Sequence, residues 1–521
     1  MPVPIIPITF QAPGYKGLNS QLSSTALDSG WATELENATF DNTGKITSRK
    51  GVTELTTSGS PGAYDIEQVF CYETETTTTV ISTANNKIYS GTTTLTDRTG
   101  TSVHTANNWQ FQNFNSTKIV GWQLNQPPIV STSAGNFAPI VVSDGGTIPD
   151  GNVCLAAFGR VWATKDDGTT IQYSGLLNET QWAVASGAGS IDTLTYWPRG
   201  KDYVTAMAVW EDKLIVFGQR NILVYDSPDV VSTLVLQDVI EGVGCVARDS
   251  VQPVGTDIIF LSETGVRSLK KSLITTKAPL QDISNNVRDD LVGYVSAGTA
   301  SKIRSVYNPI DGFYLLIIPS STSPIIYCFD VKNLHHYNEL PTEDMIRVSK
   351  WTGFGSCTAV AMGRNGTMYM GVRDTANDGI IASYAGYNDG DDSYTLKYKS
   401  PWMDLSSEEQ AGTFYKIPKK ATLTTVGGGT YNPTFTWAFD WNMSENTSTQ
   451  SVVSPTGASE WGLAEWGVDE WNASARELVN SKFQLGRYGQ YMRIGVSIPI
   501  DGKEISIQKI DLFMKRGRIS H

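Results

Sequence analysis

The chain has little of what an active site is usually built from. Its 521 residues include only four histidines, His104, His335, His336 and His521, and none stands in an H-E-x-x-H or other metal-ligand spacing. The five cysteines, Cys71, Cys154, Cys245, Cys328 and Cys357, lie far apart and never form C-x-x-C. Neither a disulfide framework nor a zinc knuckle is signalled, and they read as buried thiols. There is no G-x-x-x-x-G-K-[ST], no G-x-G-x-x-G after a strand and no G-x-S-x-G, so the common phosphate cradles and nucleophile elbow lack support. No catalytic residue, metal or cofactor is assigned, and the expectation is a protein that is not an enzyme.

Long apolar runs are missing too. No stretch approaches the ~20 residues of a membrane helix, and the first ten residues are broken by Pro2, Pro4 and Pro7 without a basic leader, so neither membrane insertion nor a secretion signal is expected. Charge is scarce at 18%, and 40 Lys and Arg against 52 Asp and Glu leave a net charge of -12. A protein that grips nucleic acid needs a basic footprint to displace counterions. The pairs Lys270-Lys271, Lys419-Lys420 and Lys515-Arg516 read instead as solvated surface pairs. An acidic surface can still face DNA that slides past it.

Glycine, threonine, serine and asparagine are plentiful, which favours strands joined by tight turns. From about residue 64 to 387 one pattern recurs: an apolar strand, a polar turn, then a second strand ending on an aromatic or apolar residue. Arg160-Val161-Trp162-Ala163 with Thr170-Ile171-Gln172-Tyr173, and Lys213 to Phe217 with Ile222 to Tyr225, are the clearest copies. Spacing of roughly 40 to 50 residues matches one four-stranded blade per unit. The fold class expected is all-β, an irregular six- or seven-bladed β-propeller with an additional β-sandwich (platform) domain, the second blade around Trp109 to Val142 being the least regular.

The domains are read as an N-terminal extended arm and β-hairpin at 1–60, the propeller at 61–392, and a C-terminal sandwich with a Trp-rich loop at 393–521. In the sandwich, Trp437, Phe439 and Trp441 fall on one face at period two, as do Met492, Ile494, Val496 and Ile498. A slip of apolar parity between Ile507 and Ile510 predicts a bulge. The hairpin is placed on Asn37 to Asp41 and Lys45 to Ser48. The arm before it can pair with another domain or another subunit.

Four local features bear on chemistry. Thr164-Lys165-Asp166-Asp167-Gly168-Thr169-Thr170 approximates an Asp-box turn, in which the aspartate caps backbone amides and does no catalysis. Asn388-Asp389-Gly390-Asp391-Asp392-Ser393 offers closely spaced oxygens but departs from calcium-loop spacing, and reads as an exposed turn. The adjacent Glu408-Glu409 carries no geometric information. In residues 460–472, Glu-Trp-Gly/Asn recurs every five residues, a period of neither helix nor strand. Trp461, Trp466 and Trp471 are the candidate interaction residues, read as packing or a subunit contact ahead of sugar binding.

Three regions together resemble the nozzle, or tail hub, proteins of short-tailed bacteriophages, also called packaged-DNA stabilisation proteins. Ala12-Pro13-Gly14, Ala32, Asn37, Phe40, Gly44, Arg49 and Gly51 resemble that family's arm leading into a hairpin closed by R-x-G. Irregular propeller repeats follow. Near the C-terminus, the Trp-Gly repeats precede Gly486-Arg487-Tyr488-Gly489-Gln490-Tyr491-Met492-Arg493, a strand entry similar to those of the family. The resemblance implies a virion protein made in the host cytoplasm. It implies a homo-oligomeric ring, usually a hexamer, docked below the adaptor, with tail fibre or spike proteins as further partners and genome DNA passing through without sequence-specific binding. The alternative reading is a propeller-type carbohydrate-binding receptor protein or glycosidase of a phage tail.

Overall fold

The computed structural model describes residues 5–100, 107–132, 135–198, 200–274, 283–295, 300–320, 323–332, 346–405, 414–427, 429–452 and 478–519. Its strands form seven consecutive antiparallel blades, the sixth continuous with the larger of two further sheets. The innermost strands of the seven sheets begin at Gln68, Gln110, Cys154, Val204, Gln252, Arg304 and Ala359. Each touches the next, the fourth and fifth by way of Arg248–Ser250, and the seventh touches the first, so the sheets are the blades of a closed seven-bladed propeller.

Period-two alternation explains why the blades stack. In the fourth blade Leu214 and Val216 bury themselves against the third blade, with Trp162, Ile171 and Tyr225. Ile215 and Phe217, on the opposite face of the same strand, meet Ile258 and Phe260 of the fifth. Every blade is thus apolar on both faces and is covered only by its neighbours. Tryptophans fill the widening wedges: Trp109, Trp122, Trp162 and Trp351 are all fully buried. The blade expected to be irregular is regular, with strands Gln110–Phe114, Lys118–Trp122, Ile129–Thr132 and Ala138–Pro139 in order. The irregular one is the fifth, which has three strands and is followed by the short helices Leu269–Ile274 and Arg288–Val295.

The ring closes with a strand from the other end of the chain. Ala359–Met362, Met368–Arg373 and Gly379–Tyr384 supply three strands of the seventh blade, and Val52–Glu54 supplies the outermost, pairing through Ser383 and Thr53. The segment 1–60 is therefore not a unit of its own. Ile5–Gln11 pairs along Ile505–Ile519, and the hairpin Ala38–Phe40 with Ile46–Ser48 joins the same sheet through Thr47 and Ser506.

The sandwich has two sheets. One contains Leu478–Gln484, Phe414–Gly427, Ile505–Ile519, the hairpin and the arm. The other contains Tyr394–Lys399, Met492–Ile500, Thr434–Phe439 and Asn446–Thr449, and it continues through Glu34–Glu36 into the outer strand Arg347–Trp351 of the sixth blade. Its core runs without a break into the space between the fifth and sixth blades: Leu261, Tyr314 and Leu316 share one buried cluster with Leu396, Leu423 and Leu512. The predicted bulge lies where Thr424 faces Lys509 and Thr425 faces Ile507, leaving Gln508 over. Trp437 and Phe439 face the core as expected, but Trp441 does not. The strand ends at Phe439, and Trp441 stands in the following turn, 51% exposed. The Asp501-Gly502 turn carries the chain from one sheet to the other rather than closing a hairpin.

If Val52–Glu54 closes the ring, Thr53→Pro, which removes a ladder donor, will speed amide hydrogen exchange across Gly379–Tyr384 and leave Lys213–Gly218 of the fourth blade unchanged. Equal protection of both strands in the variant would show that closure does not depend on this pairing.

Candidate functional site

The residues that carry the resemblance at the N-terminus converge on the joint between propeller and sandwich. Arg49 is fully buried, a position a cation occupies only when its charge and donors are matched. Its guanidinium forms a bidentate pair with Asp389, at 2.8 Å to Oδ1 and 2.7 Å to Oδ2. It also donates to Asn37 Oδ1 at 3.0 Å and to the carbonyls of Lys50 and Thr352. Tyr394, Phe354 and Trp351 surround it, with ring centroids at 4.0, 4.7 and 5.7 Å.

Asn37, at positive φ, spends both ends of its amide here: Oδ1 also accepts from the Thr352 amide, and Nδ2 donates to Thr352 Oγ1 and to the Thr395 carbonyl. Gly51 passes so close to the 388 carbonyl that a Cβ would lie 1.9 Å from its oxygen. The R-x-G pattern is thus a weld in which each residue has a steric or electrostatic reason to be what it is.

This also explains the 388–393 turn. Asp389 is engaged by Arg49 and the Phe354 amide, and Asn388 bonds Asp501 and the Gly502 amide, so the turn is a structural latch. Among the described residues no group of three His, Cys, Asp or Glu is placed to hold a metal. Beside the latch opens a cleft of about 570 Å³ lined by Glu54, Asp374, Asp391 and Asp392. Burial, together with the charges of Asp374 and Asp391, raises the Glu54 carboxyl above its ordinary value.

A second constellation lies on the propeller axis, where the innermost strands begin. Arg248 donates to Asn108 Oδ1 at 3.0 Å and Asn152 Oδ1 at 2.8 Å, and Arg304 donates to the same Asn108 oxygen at 2.9 Å and to the Glu67 carbonyl at 3.1 Å. Asp249 pairs with both guanidiniums, at 2.9 and 3.1 Å. Residues from the first, second, third, fifth and sixth blades therefore meet across the axis and bridge this end of the channel. Burial alone would raise the Asp249 carboxyl, but Arg248 and Arg304 together hold it below the ordinary range.

The third feature is an aromatic ledge at the end of the sandwich. Asp440 and Trp441 both have positive φ, 49° and 60°, a strained conformation for a side chain as large as tryptophan. The Asp440 carboxylate holds the turn by accepting from the Gln490 and Tyr491 amides at 2.8 and 2.9 Å. Trp441 lies against Tyr491 at 4.8 Å, and Tyr488, 64% exposed, meets Tyr415 edge-on at 5.5 Å. The glycine at 489 is required, because a Cβ there would come within 2.6 Å of Phe439 Cβ. The 486–493 segment is thus the partner of the Trp441 turn.

Trp461, Trp466 and Trp471 lie outside the described residues, as do all four histidines and Glu408-Glu409. Asp167 caps its hairpin as the Asp-box reading expected, accepting from the Thr169 and Thr170 amides at 2.7 and 2.9 Å. Burial would raise its carboxyl, but those amides and hydroxyls hold it low. All five cysteines are free and buried, and burial pushes the thiols up, Cys71 and Cys357 to about 12.

Replacing Arg49 by methionine leaves the Asp389 carboxylate without its counter-charge and is expected to cost about 3–5 kcal/mol in chemical denaturation; adding Asp389→Leu should return part of it. A single-variant loss below about 1 kcal/mol would show that the pair is not the weld. The Asp249 carboxyl titrates lower in the folded chain than in the unfolded one. Its contribution is fully present above the ordinary value of about 3.8 and lost as pH falls through the depressed folded value. Asp249→Asn should therefore flatten the acid limb of the stability profile and lower stability at neutral pH, as thermal melts from pH 7 to pH 3 will register.

No family model matches the sequence, and no curated protein does. Solved structures that it is similar to include the WD40 domain of Neurospora crassa Pan2, 10% identical over 64% of this chain and 96% of that one, with a TM-score of 0.37. YCF48 bound to D1 peptide is 7% identical over 63% and 94%, TM-score 0.35, and the WD40 β-propeller domain of Doa1 is 12% identical over 58% and 93%, TM-score 0.31. At these scores the propeller rests on its own sheet order and ring closure, which place the chain among all-β propeller proteins with an added sandwich.

Proposed function

We propose that the chain is a structural subunit of a short bacteriophage tail. In this reading it forms a ring, usually hexameric, below the adaptor, conducts and closes off genome DNA at the ring's centre, and carries fibre or spike proteins on its outside. The observation that supports it is the role of the residues behind the resemblance. Asn37, Arg49 and Gly51 lock propeller to sandwich, and 486–493 buttresses the exposed Trp441 turn. A family pattern made of joint residues suits a part that must transmit load. The axis fits as well, since Arg248 and Arg304 cross-link one end of it through Asn108, which suits a passage for DNA at the centre of an assembly.

A second reading, a glycan-binding tail protein, draws on the exposed Trp441 and Tyr488, since aromatic faces stack on sugar rings. Gold-labelled antibody raised against the recombinant chain, applied to phage particles from the same source, decides between them. Label at the tail below the capsid vertex, with no glycan bound by the isolated chain on an array, is the expected result. Particles without label overturn the assignment, and label joined with specific glycan capture transfers it to the receptor reading.

A further inference from the structure

Two basic pairs that are remote in sequence become neighbours in the fold. In the outer sheet of the sandwich, Ala421, Leu423, Ile510, Leu512 and Phe483 face the core, so alternate residues face outward. Register places Lys420 opposite Phe513, Thr422 opposite Asp511 and Lys482, and Ile417 opposite Lys515. The outward face thus carries Lys420, Lys482, Lys509 and Lys515 among threonine, asparagine and glutamine, against the single carboxylate of Asp511. That carboxylate is already paired to Lys509 at 2.9 Å. Lys482 and Lys515 make no ion pair among the described residues. A basic sheet face on a chain of net charge -12 is a concentrated exception to its surroundings.

The complementary surface is the junction cleft. Thr395 and Lys397 point away from the sandwich core on the opposite sheet and line that cleft, which puts its carboxylates on the other side of the domain from the lysines. Lys397 is taken by Glu36 at 2.8 Å and Arg373 by Asp65 at 2.7 Å. Glu54, Asp374, Asp391 and Asp392 therefore face the cleft without a basic partner among the described residues. The two charged surfaces cannot meet within one copy. Opposite patches on opposite sides of one rigid domain make a head-to-tail contact, the kind that closes into a ring when the rotation allows.

We infer that the lysine face of the sandwich docks on the carboxylate-lined junction cleft of a second copy of this chain. The contact deepens the ring reading given above and rests on it. It makes the basic sheet an inter-subunit face, and accounts for why Glu54 is tolerated beside Asp374 and Asp391: the neighbour's lysines relieve that repulsion.

The test uses the full chain. Equal amounts of isotopically heavy and light protein are mixed at low salt and treated with a carbodiimide, which joins lysine to carboxylate by loss of water. Heavy-to-light peptides linking Lys420, Lys482 or Lys515 to Glu54, Asp374 or Asp391 are expected, and they should fade as salt rises. Sedimentation then compares the triple variants Lys420→Glu/Lys482→Glu/Lys515→Glu and Glu54→Lys/Asp374→Lys/Asp391→Lys. Each alone should weaken self-association at least about tenfold, and the two mixed should recover it. The milder Lys→Gln triple serves if a reversal fails to fold. Inter-copy links that map elsewhere, no inter-copy links, or no recovery on mixing would overturn the interface. Tail labelling that persists beside such a failure retires this contact alone and leaves the tail assignment standing.

Discussion

Burying a guanidinium is costly unless every donor is met, and Arg49 is where this chain accepts that cost. Its five N–H groups reach Asp389, Asn37 and the carbonyls of Lys50 and Thr352, and its faces rest on aromatic rings. These partners come from the arm's hairpin, the outer strand of the sixth blade and the entry to the sandwich. One cation therefore ties the arm to two segments that lie 303 and 340 residues further on. The continuous core between the fifth blade, the sixth blade and the sandwich depends on that alignment, because hydrophobic burial sets no particular angle between domains while a bidentate ion pair does.

The propeller obeys a different constraint. Its blades bury both faces, so no blade is stable without its neighbours and the ring must close. Closure by Val52–Glu54 ties the first part of the chain to the last blade, and the same arm then runs along Ile505–Ile519. Strands near both ends of the chain thus complete sheets that other segments begin. Arg248, Asp249 and Arg304 add cross-axis bonds where inner strands begin, in the place where many propellers keep an open mouth. The result is a closed ring cross-linked at one end of its axis.

The sequence made the blades legible because two-faced burial writes apolar runs such as Leu214 to Phe217 beside polar turns, and each such turn is local. The Asp167 cap was legible for the same reason: its donors lie two and three residues away. What could not be read were partners separated by long loops. Nothing near Arg49 points to Asp389, 340 residues on, and nothing near Arg248 points to Asn108. The blade count stayed open because the fifth blade lacks a strand and the seventh borrows one from the arm. Period two carried past the strand's end puts Trp441 on the wrong face; Asp440-Trp441-Asn442 is a turn sequence, and its polar neighbours are the signal.

Charge illustrates the same limit from another side. Lys419-Lys420 and Lys515-Arg516 looked like isolated pairs because sequence distance hides register. Once Ile417 sits opposite Lys515 and Thr422 opposite Lys482, lysines from three strands form one surface. Net charge describes how a whole chain behaves toward polyanions, but an assembly is governed by where charge is left unpaired. Here Lys482 and Lys515, without an ion pair among the described residues, and the cleft carboxylates, without a basic partner among them, lie on opposite sides of a domain that Arg49 holds in register, so that the charges left over face outward in two directions.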